Sequence, residues 1–216
     1  MSQISDELKN RSLSVFDRLV EAFPNAKLTL NFKNAFELLV ATVLAARTPD
    51  KRVNEVTPEL FKKFPDAKSM AQATVEEIQS LIQKINMSKT KAERLKKLSQ
   101  QLVEKHGGEV PSTIEELTAL PGVGRKTANV VLGNAMGIVE GLEVDSHIAR
   151  VSYRLGLTKH TNPDKVEQDL MQVLPKEVWV KYTHVAKELG RKYCRPKNPK
   201  CSECPVNDLC PKIGVK

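Results

Sequence analysis

The stretch Leu120-Pro121-Gly122-Val123-Gly124-Arg125-Lys126-Thr127-Ala128-Asn129-Val130-Val131 decides how this chain folds. Residues 112–120 read as a short helix before it, and residues 125–136 as a second helix after it. A G-x-G between helices permits a tight turn and lets another backbone come close. The amides of the turn and of the new helix start, with the positive end of the helix dipole, suit a phosphate. A bare G-x-G is equally an ordinary helix–helix turn. The full L-P-G-V-G-R-K run with helices on both sides is far more specific and reads as a helix–hairpin–helix signature. Gly122, Gly124, Arg125 and Thr127 are then candidate contacts to a nucleic-acid backbone, of the kind that position without reading sequence.

Lys126 falls in the first turn of the second helix. The dipole disfavours an ammonium there and Arg125 adds like charge, so both act to lower a lysine pKa, as a nucleophilic amine requires. Most lysines on helices are solvated surface charges, and Lys126 stands out only in combination with a second motif. Nineteen residues on comes Val144-Asp145-Ser146-His147-Ile148. Asp145 opens a helix, and its first reading is an N-cap. A carboxylate at one helix start facing a lysine at another also serves to assist attack or to steady a cationic sugar.

Outward from this centre the pattern is helical, and no convincing strand alternation appears. Leu13, Phe16, Leu19 and Phe23 recur at helix spacing up to Pro24. Asn34 can cap a run over residues 35–46 that is apolar nearly all round, as a helix in the middle of a core would be. Pro49 and Asp50 open a helix that closes before Pro65. Thr74 and Glu77 form a capping box. Residues 88–106 carry Ala92, Leu95, Leu98 and Leu102 on one stripe and end at Gly107-Gly108. Further helices are marked by Ile148, Val151 and Leu155, by Val166, Leu170 and Val173, and by residues 176–193. The fold class expected is all-α, without internal repeats.

The tail changes character: Pro196, Pro199 and Pro205 interrupt it and no helical period survives. The chain's four cysteines all lie here, Cys194, Cys201, Cys204 and Cys210, spaced C-x6-C-x2-C-x5-C, with no histidine among them. Four thiolates at this spacing suit either tetrahedral zinc or an iron–sulfur cluster, and the spacing does not separate the two. Two disulfides are the third option, disfavoured in a chain that shows no secretion signal. The first loop of the tail holds Arg195, Lys197 and Lys200, charges that a metal-stapled loop would hold ready for phosphates.

The 216 residues suffice for one large domain or two small ones. Lys plus Arg number 34 against 26 Asp plus Glu, a formal charge of +8 that favours a polyanionic partner, nucleic acid first. With 40% hydrophobic and 28% charged residues, wholesale disorder is excluded. The longest apolar run, Leu38 to Ala46, falls short of a membrane span, which takes about 20 residues. The opening MSQISDELKN has neither the basic start nor the apolar stretch of a signal peptide, so a cytoplasmic setting, associated with the nucleoid, is expected.

Taken together, residues 120–131, V-D-S-H-I at 144–148 and the cysteine spacing at 194–210 resemble endonuclease III, a DNA glycosylase and abasic-site lyase of the helix–hairpin–helix superfamily. The resemblance runs from about residue 28 to 212. It implies two all-α domains: a six-helix barrel over 28–137, with the helix–hairpin–helix at about 112–133, and a cluster domain joining 1–27 to 138–216. It also implies a [4Fe–4S] cluster on Cys194, Cys201, Cys204 and Cys210, structural rather than redox-active in turnover, so that iron replaces zinc as the expected metal. The implied partner is double-stranded DNA containing damaged bases or abasic sites, with no membrane and a monomer as the simplest state. The implied catalytic pair is Lys126 and Asp145.

Three places depart from the family pattern. Where the family usually shows S-A-Q, this chain has Ala45-Ala46-Arg47, so Arg47 becomes the residue expected to fill the gap left by an extruded base. Where an aromatic usually precedes the K-A of a long helix, it has Asn86-Met87-Ser88, which makes Met87 the expected wedge. Ala149 replaces a bulkier residue. Two other readings stand beside this one. An adenine mismatch glycosylase of the same superfamily usually lacks the lysine and carries a glutamate near the position of Thr42. A non-catalytic helix–hairpin–helix DNA-binding protein, or a zinc-stabilised scaffold, would show no chemistry.

Overall fold

The structure, a computed structural model, describes residues 5–215. The first four residues, part of the opening segment without signal-peptide features and of the expected cluster domain, lie outside the described residues, as does Lys216. Among the described residues every regular element is helical. None of these helices is long and apolar enough to cross a membrane. The chain forms two compact units, one of residues 29–140 and one of residues 1–28 with 141–216.

The continuous unit is built around α2 (Ala35–Ala45). Asn34 caps it by accepting from the Glu37 amide at 2.9 Å. Leu38, Leu39, Val40, Ala41 and Leu44 are fully buried, as an all-round apolar helix requires. It packs on α3 (Asp50–Lys63), α6 (Ser88–His106) and α8 (Arg125–Val131). Two short helices, α4 (Ala67–Gln72) and α5 (Val75–Leu81), lie against α6, and α7 (Ile114–Thr118) leads into the hairpin before α8. The capping box of Thr74 and Glu77 forms as expected.

The structure corrects this unit's helix boundaries in two places. The sequence reading places no helix between Pro65 and Thr74, yet α4 forms there, on a capping box between Asp66 and Ser69; those bonds also hold the Asp66 carboxyl below its ordinary range. Six residues are too few to display a 3.6-residue period. The helix expected over 125–136 stays α-helical only to Val131. It widens into a π turn at Leu132–Met136 and stops at Gly137, whose φ is 69°. Wide turns of this kind gather near functional sites.

The second unit joins α1 (Asp6–Ala22) to α9 (Ser146–Arg154), α10 (Pro163–Val173), α11 (Trp179–Lys192) and the cysteine tail. The expected helix at 176–193 opens with a 3-10 turn, Lys176–Val178. Val15, Leu19, Ile148, Val151, Leu170, Tyr182 and Val185 make its core. Helices α9 and α11 pack so closely that a Cβ on Gly190 would stand 3.1 Å from His147 Cβ and 3.2 Å from Val151 Cγ2. Arg11 ties α1 to the rest, donating to the carbonyls of Leu155 at 2.6 Å, Gly156 at 3.1 Å and Leu209 at 3.2 Å. Buried Ser12 Oγ donates to Val173 O at 2.7 Å.

Candidate active site and cysteine centre

Gly122 has φ 80°, the left-handed region that glycine enters without strain, and a Cβ there would stand 3.2 Å from Arg94 Cδ. Leu120 and Val123 are buried and anchor the hairpin from below. Gly124 begins α8 with no side chain to cap the helix. Arg125 and Lys126 follow in the first turn, both exposed, and Thr127 is half-buried beside them. The structure thus gathers Gly122, Gly124, Arg125, Lys126 and Thr127 on one short segment.

Arg47 and Met87, 40 positions apart in sequence, meet through a third residue. Asn86 Nδ2 donates to Arg47 O at 2.7 Å. Both Arg47 and Met87 have left-handed backbones, at φ 55° and 57°, and both are exposed, Met87 by 55%. Such a backbone is uncommon for long side chains and marks places where surrounding structure holds strain. Beneath them Lys91 is only 2% exposed. Its ammonium donates to Leu44 O at 2.7 Å, Ala46 O at 2.6 Å and Thr48 Oγ1 at 3.0 Å. Burial, and secondarily the charge of Arg94, push its pKa below the ordinary lysine range. The sequence did carry a signal for Lys91: it sits at helix spacing with buried Leu95, Leu98 and Leu102.

In the other unit, Asp145 is the N-cap of α9. Its Oδ1 accepts from the amides of His147 at 2.8 Å and Ile148 at 2.9 Å. Its Oδ2 lies 3.7 Å from Lys187 Nζ, which is also 3.7 Å from Glu143 Oε1. Lys187, placed by α11 on a mostly buried face, is a residue that periodicity alone did not single out. Burial, opposed by Asp145, lowers the pKa of neighbouring His147.

The four cysteines are free thiols, half-buried, around one recess of about 370 Å³ that includes its open mouth. Burial pushes the Cys204 and Cys210 thiols up, and the neighbouring cysteines add to the rise. Four thiolates in one recess therefore call for a cationic group to relieve their repulsion. Among the described residues no three His, Cys, Asp or Glu side chains close in tightly enough to hold a metal ion. All four cysteines line that one recess, and an all-thiolate set of four suits a [4Fe–4S] cluster with one thiolate on each iron. Arginines of α9 brace the loop: Arg154 donates to Cys194 Sγ at 3.5 Å, Arg195 O at 2.7 Å and Pro196 O at 3.2 Å, and Arg150 to Cys194 O at 3.0 Å. Arg195 and Lys197 are exposed, while Lys200 pairs with Glu203 at 3.0 Å.

Comparison with known proteins agrees with these features. Residues 40–176 match the HhH-GPD superfamily base excision DNA repair protein family, and residues 194–210 match the iron-sulfur binding domain of endonuclease III. Endonuclease III of Synechocystis sp. is 42% identical over 203 residues, 94% of this chain and 93% of its own. That of Bacillus subtilis is 42% identical over 195 residues, 90% of this chain and 89% of its own. A solved structure of a trapped endonuclease III–DNA covalent intermediate, an estranged-adenine complex, superposes with a TM-score of 0.87 at 40% identity, covering 94% of this chain and 96% of that one. The fold is therefore that of a helix–hairpin–helix DNA repair glycosylase. The chain belongs to the endonuclease III family, whose members are DNA glycosylases with abasic-site lyase activity. Its cofactor is the [4Fe–4S] cluster of that family.

Proposed function

We propose that this protein excises oxidised pyrimidines from double-stranded DNA and then cuts the strand 3′ to the abasic site, with Lys126 as nucleophile and Asp145 as its partner. The observation that carries the reading is an exposed primary amine in the first helical turn behind the glycine hairpin. The adenine mismatch reading falls behind: Thr42, where a glutamate would stand, spends its hydroxyl on Leu38 O at 2.8 Å.

The target nucleotide leaves the stack to expose its C1′ carbon. Neutral Lys126 Nζ attacks C1′ as the bond to the base breaks, and the base departs with that electron pair and takes up a proton. Asp145, its carboxylate fixed by two amide donors, stabilises the positive charge that builds on the sugar. Ring opening and loss of a further amine proton leave an imine between Nζ and C1′. The imine acidifies C2′; removal of a C2′ proton expels the 3′ phosphate as the C3′–O bond breaks, and water finally frees the amine. Cys194, Cys201, Cys204 and Cys210 hold the cluster, which supplies a rigid staple for the loop and no bond-making chemistry. Gly122, Gly124, Arg125, Thr127, Arg195, Lys197 and Lys200 serve as phosphate contacts, and Arg47 and Met87 enter the duplex at the lesion. The two units are read as the barrel domain and the cluster domain. The surplus of +8 supports residence on nucleoid DNA, and a monomer is the simplest state for that role.

Borohydride with abasic-site duplex tests the reading: a covalent protein–DNA adduct is expected, absent from Lys126→Ala. No adduct from the unaltered protein would leave a DNA-binding protein without lyase chemistry.

A further inference from the structure

Lys91 is a charged side chain in a place where a purely structural role is better filled by an apolar one. Removing an ammonium from water costs several kcal/mol unless its donors are met. Here three donors meet three acceptors, all on the segment 44–48. That segment is where α2 ends, and a cation at a helix C-terminus is favoured by the dipole and by the unpaired final carbonyls. Helix α6 shows the ordinary solution, a left-handed glycine at 107. Helix α2 instead runs into Arg47, left-handed without being glycine, with Lys91 bonded to the carbonyl of Ala46 and the hydroxyl of Thr48 on either side of it.

The same lysine reaches the second exposed loop through its backbone, since its amide donates to Met87 O at 3.0 Å. Asn86 closes the arrangement by bonding Arg47 O. Arg47 is thus flanked by acceptors of the buried ammonium and bonded by the Asn86 side chain, while Met87, next to Asn86, begins the helix that carries the lysine.

We propose that Lys91 and Asn86 are positioning residues that hold Arg47 and Met87 as one rigid, two-pronged probe for the gap in lesion-bearing duplex DNA. The inference rests on the reading that those two side chains enter the duplex. A misplacement of about 1 Å in such a probe costs up to roughly a hundredfold in rate. The loss falls only where a base must be extruded from a duplex, because an abasic site in a single strand needs no wedge.

The test uses the holoenzyme and a duplex bearing 2-aminopurine opposite a tetrahydrofuran abasic analogue. Fluorescence rises when that base is unstacked. Lys91→Met and Asn86→Ala are expected to lose more than half of the rise. Each is expected to slow cleavage of duplex abasic DNA on the order of tenfold in kcat, with cleavage of single-stranded abasic DNA within about twofold of the unaltered protein. Should Lys91→Met fail to fold, Asn86→Ala decides alone, its side chain being exposed. A folded variant with the full fluorescence rise and full duplex rate overturns the proposal. An Arg47→Ala, Met87→Ala double variant separates the two levels: if it keeps the rise, the reading of those side chains as duplex-entering fails, and the proposal with it. If it loses the rise while Lys91→Met and Asn86→Ala keep it, only the positioning role is lost.

Discussion

Lys187 Nζ stands 3.7 Å from Asp145 Oδ2, so the carboxylate that caps α9 is also balanced by an ammonium delivered from α11. The same ammonium faces Glu143 Oε1 at 3.7 Å, which makes it the shared counter-charge of two carboxylates. Lys187→Met removes this cation from beside Asp145, so abasic-site cleavage should slow. Lys187→Arg should restore it. An unchanged cleavage rate in Lys187→Met would show that the reaction does not depend on this charge.

Asp145 caps α9 and, in the proposed mechanism, also stabilises charge on the sugar; one substitution separates the two. Asparagine caps helices about as well as aspartate. Asp145→Asn should therefore keep stability within about 1 kcal/mol while base excision falls at least roughly a hundredfold. Thermal unfolding and single-turnover excision measure the two separately. A rate loss matched by a large fall in melting temperature would reduce Asp145 to its capping role.

The cysteine loop has one 3-10 turn, at Cys201–Glu203, and otherwise no regular structure, so its order depends on what the thiolates bind. Cys204→Ser should give a colourless protein, fast proteolysis within residues 194–210, and weaker binding to undamaged DNA through displaced Arg195 and Lys197. The unaltered protein should be brown and contain iron. Zinc in a colourless, fully active preparation would overturn the cluster assignment.

His184 is buried, and that burial, reinforced by Lys187 and Lys181, pushes its pKa down to about 4. An unfolded histidine binds its proton near 6.5. Between those values the unfolded chain holds more protons than the folded one, so stability falls as pH drops from about 6.5 toward 4, by up to about 3 kcal/mol. Urea titrations across that range should show the loss, and His184→Gln should flatten it. An identical slope in the variant would place the acid sensitivity elsewhere.

The long elements were legible because their patterns were. Asn34 before an all-apolar run, Thr74 with Glu77, and Gly107 after residue 106 each state a helix end in residues that have little other use there, and each end forms. Helix α4 was not legible, since it depends on a cap and on packing against α6. The π turn after Val131 has no local signature beyond Gly137. At the candidate site the residues proposed to carry the chemistry could be named from motif and spacing. Their supports could not. Lys187 looks like a surface lysine in one dimension and Lys91 shares only a helical stripe with Leu95, Leu98 and Leu102; the folded chain shows Lys91 beneath the end of α2 and Lys187 between two carboxylates.

The bonds from Arg11 to Leu155, Gly156 and Leu209 impose an order on synthesis. Residues 29–140 are contiguous, and that unit can close as soon as it leaves the ribosome. Helix α1 emerges ahead of its partners, and Leu209 is translated 198 positions after Arg11. At about 5–20 residues per second that is a delay of roughly 10–40 s, for most of which Val15 and Leu19 await the core that Ile148, Leu170 and Val185 complete. Helix α1 is thus made before its partners and docks only after them, and a chain truncated before them would leave its apolar stripe open to chaperones and proteases.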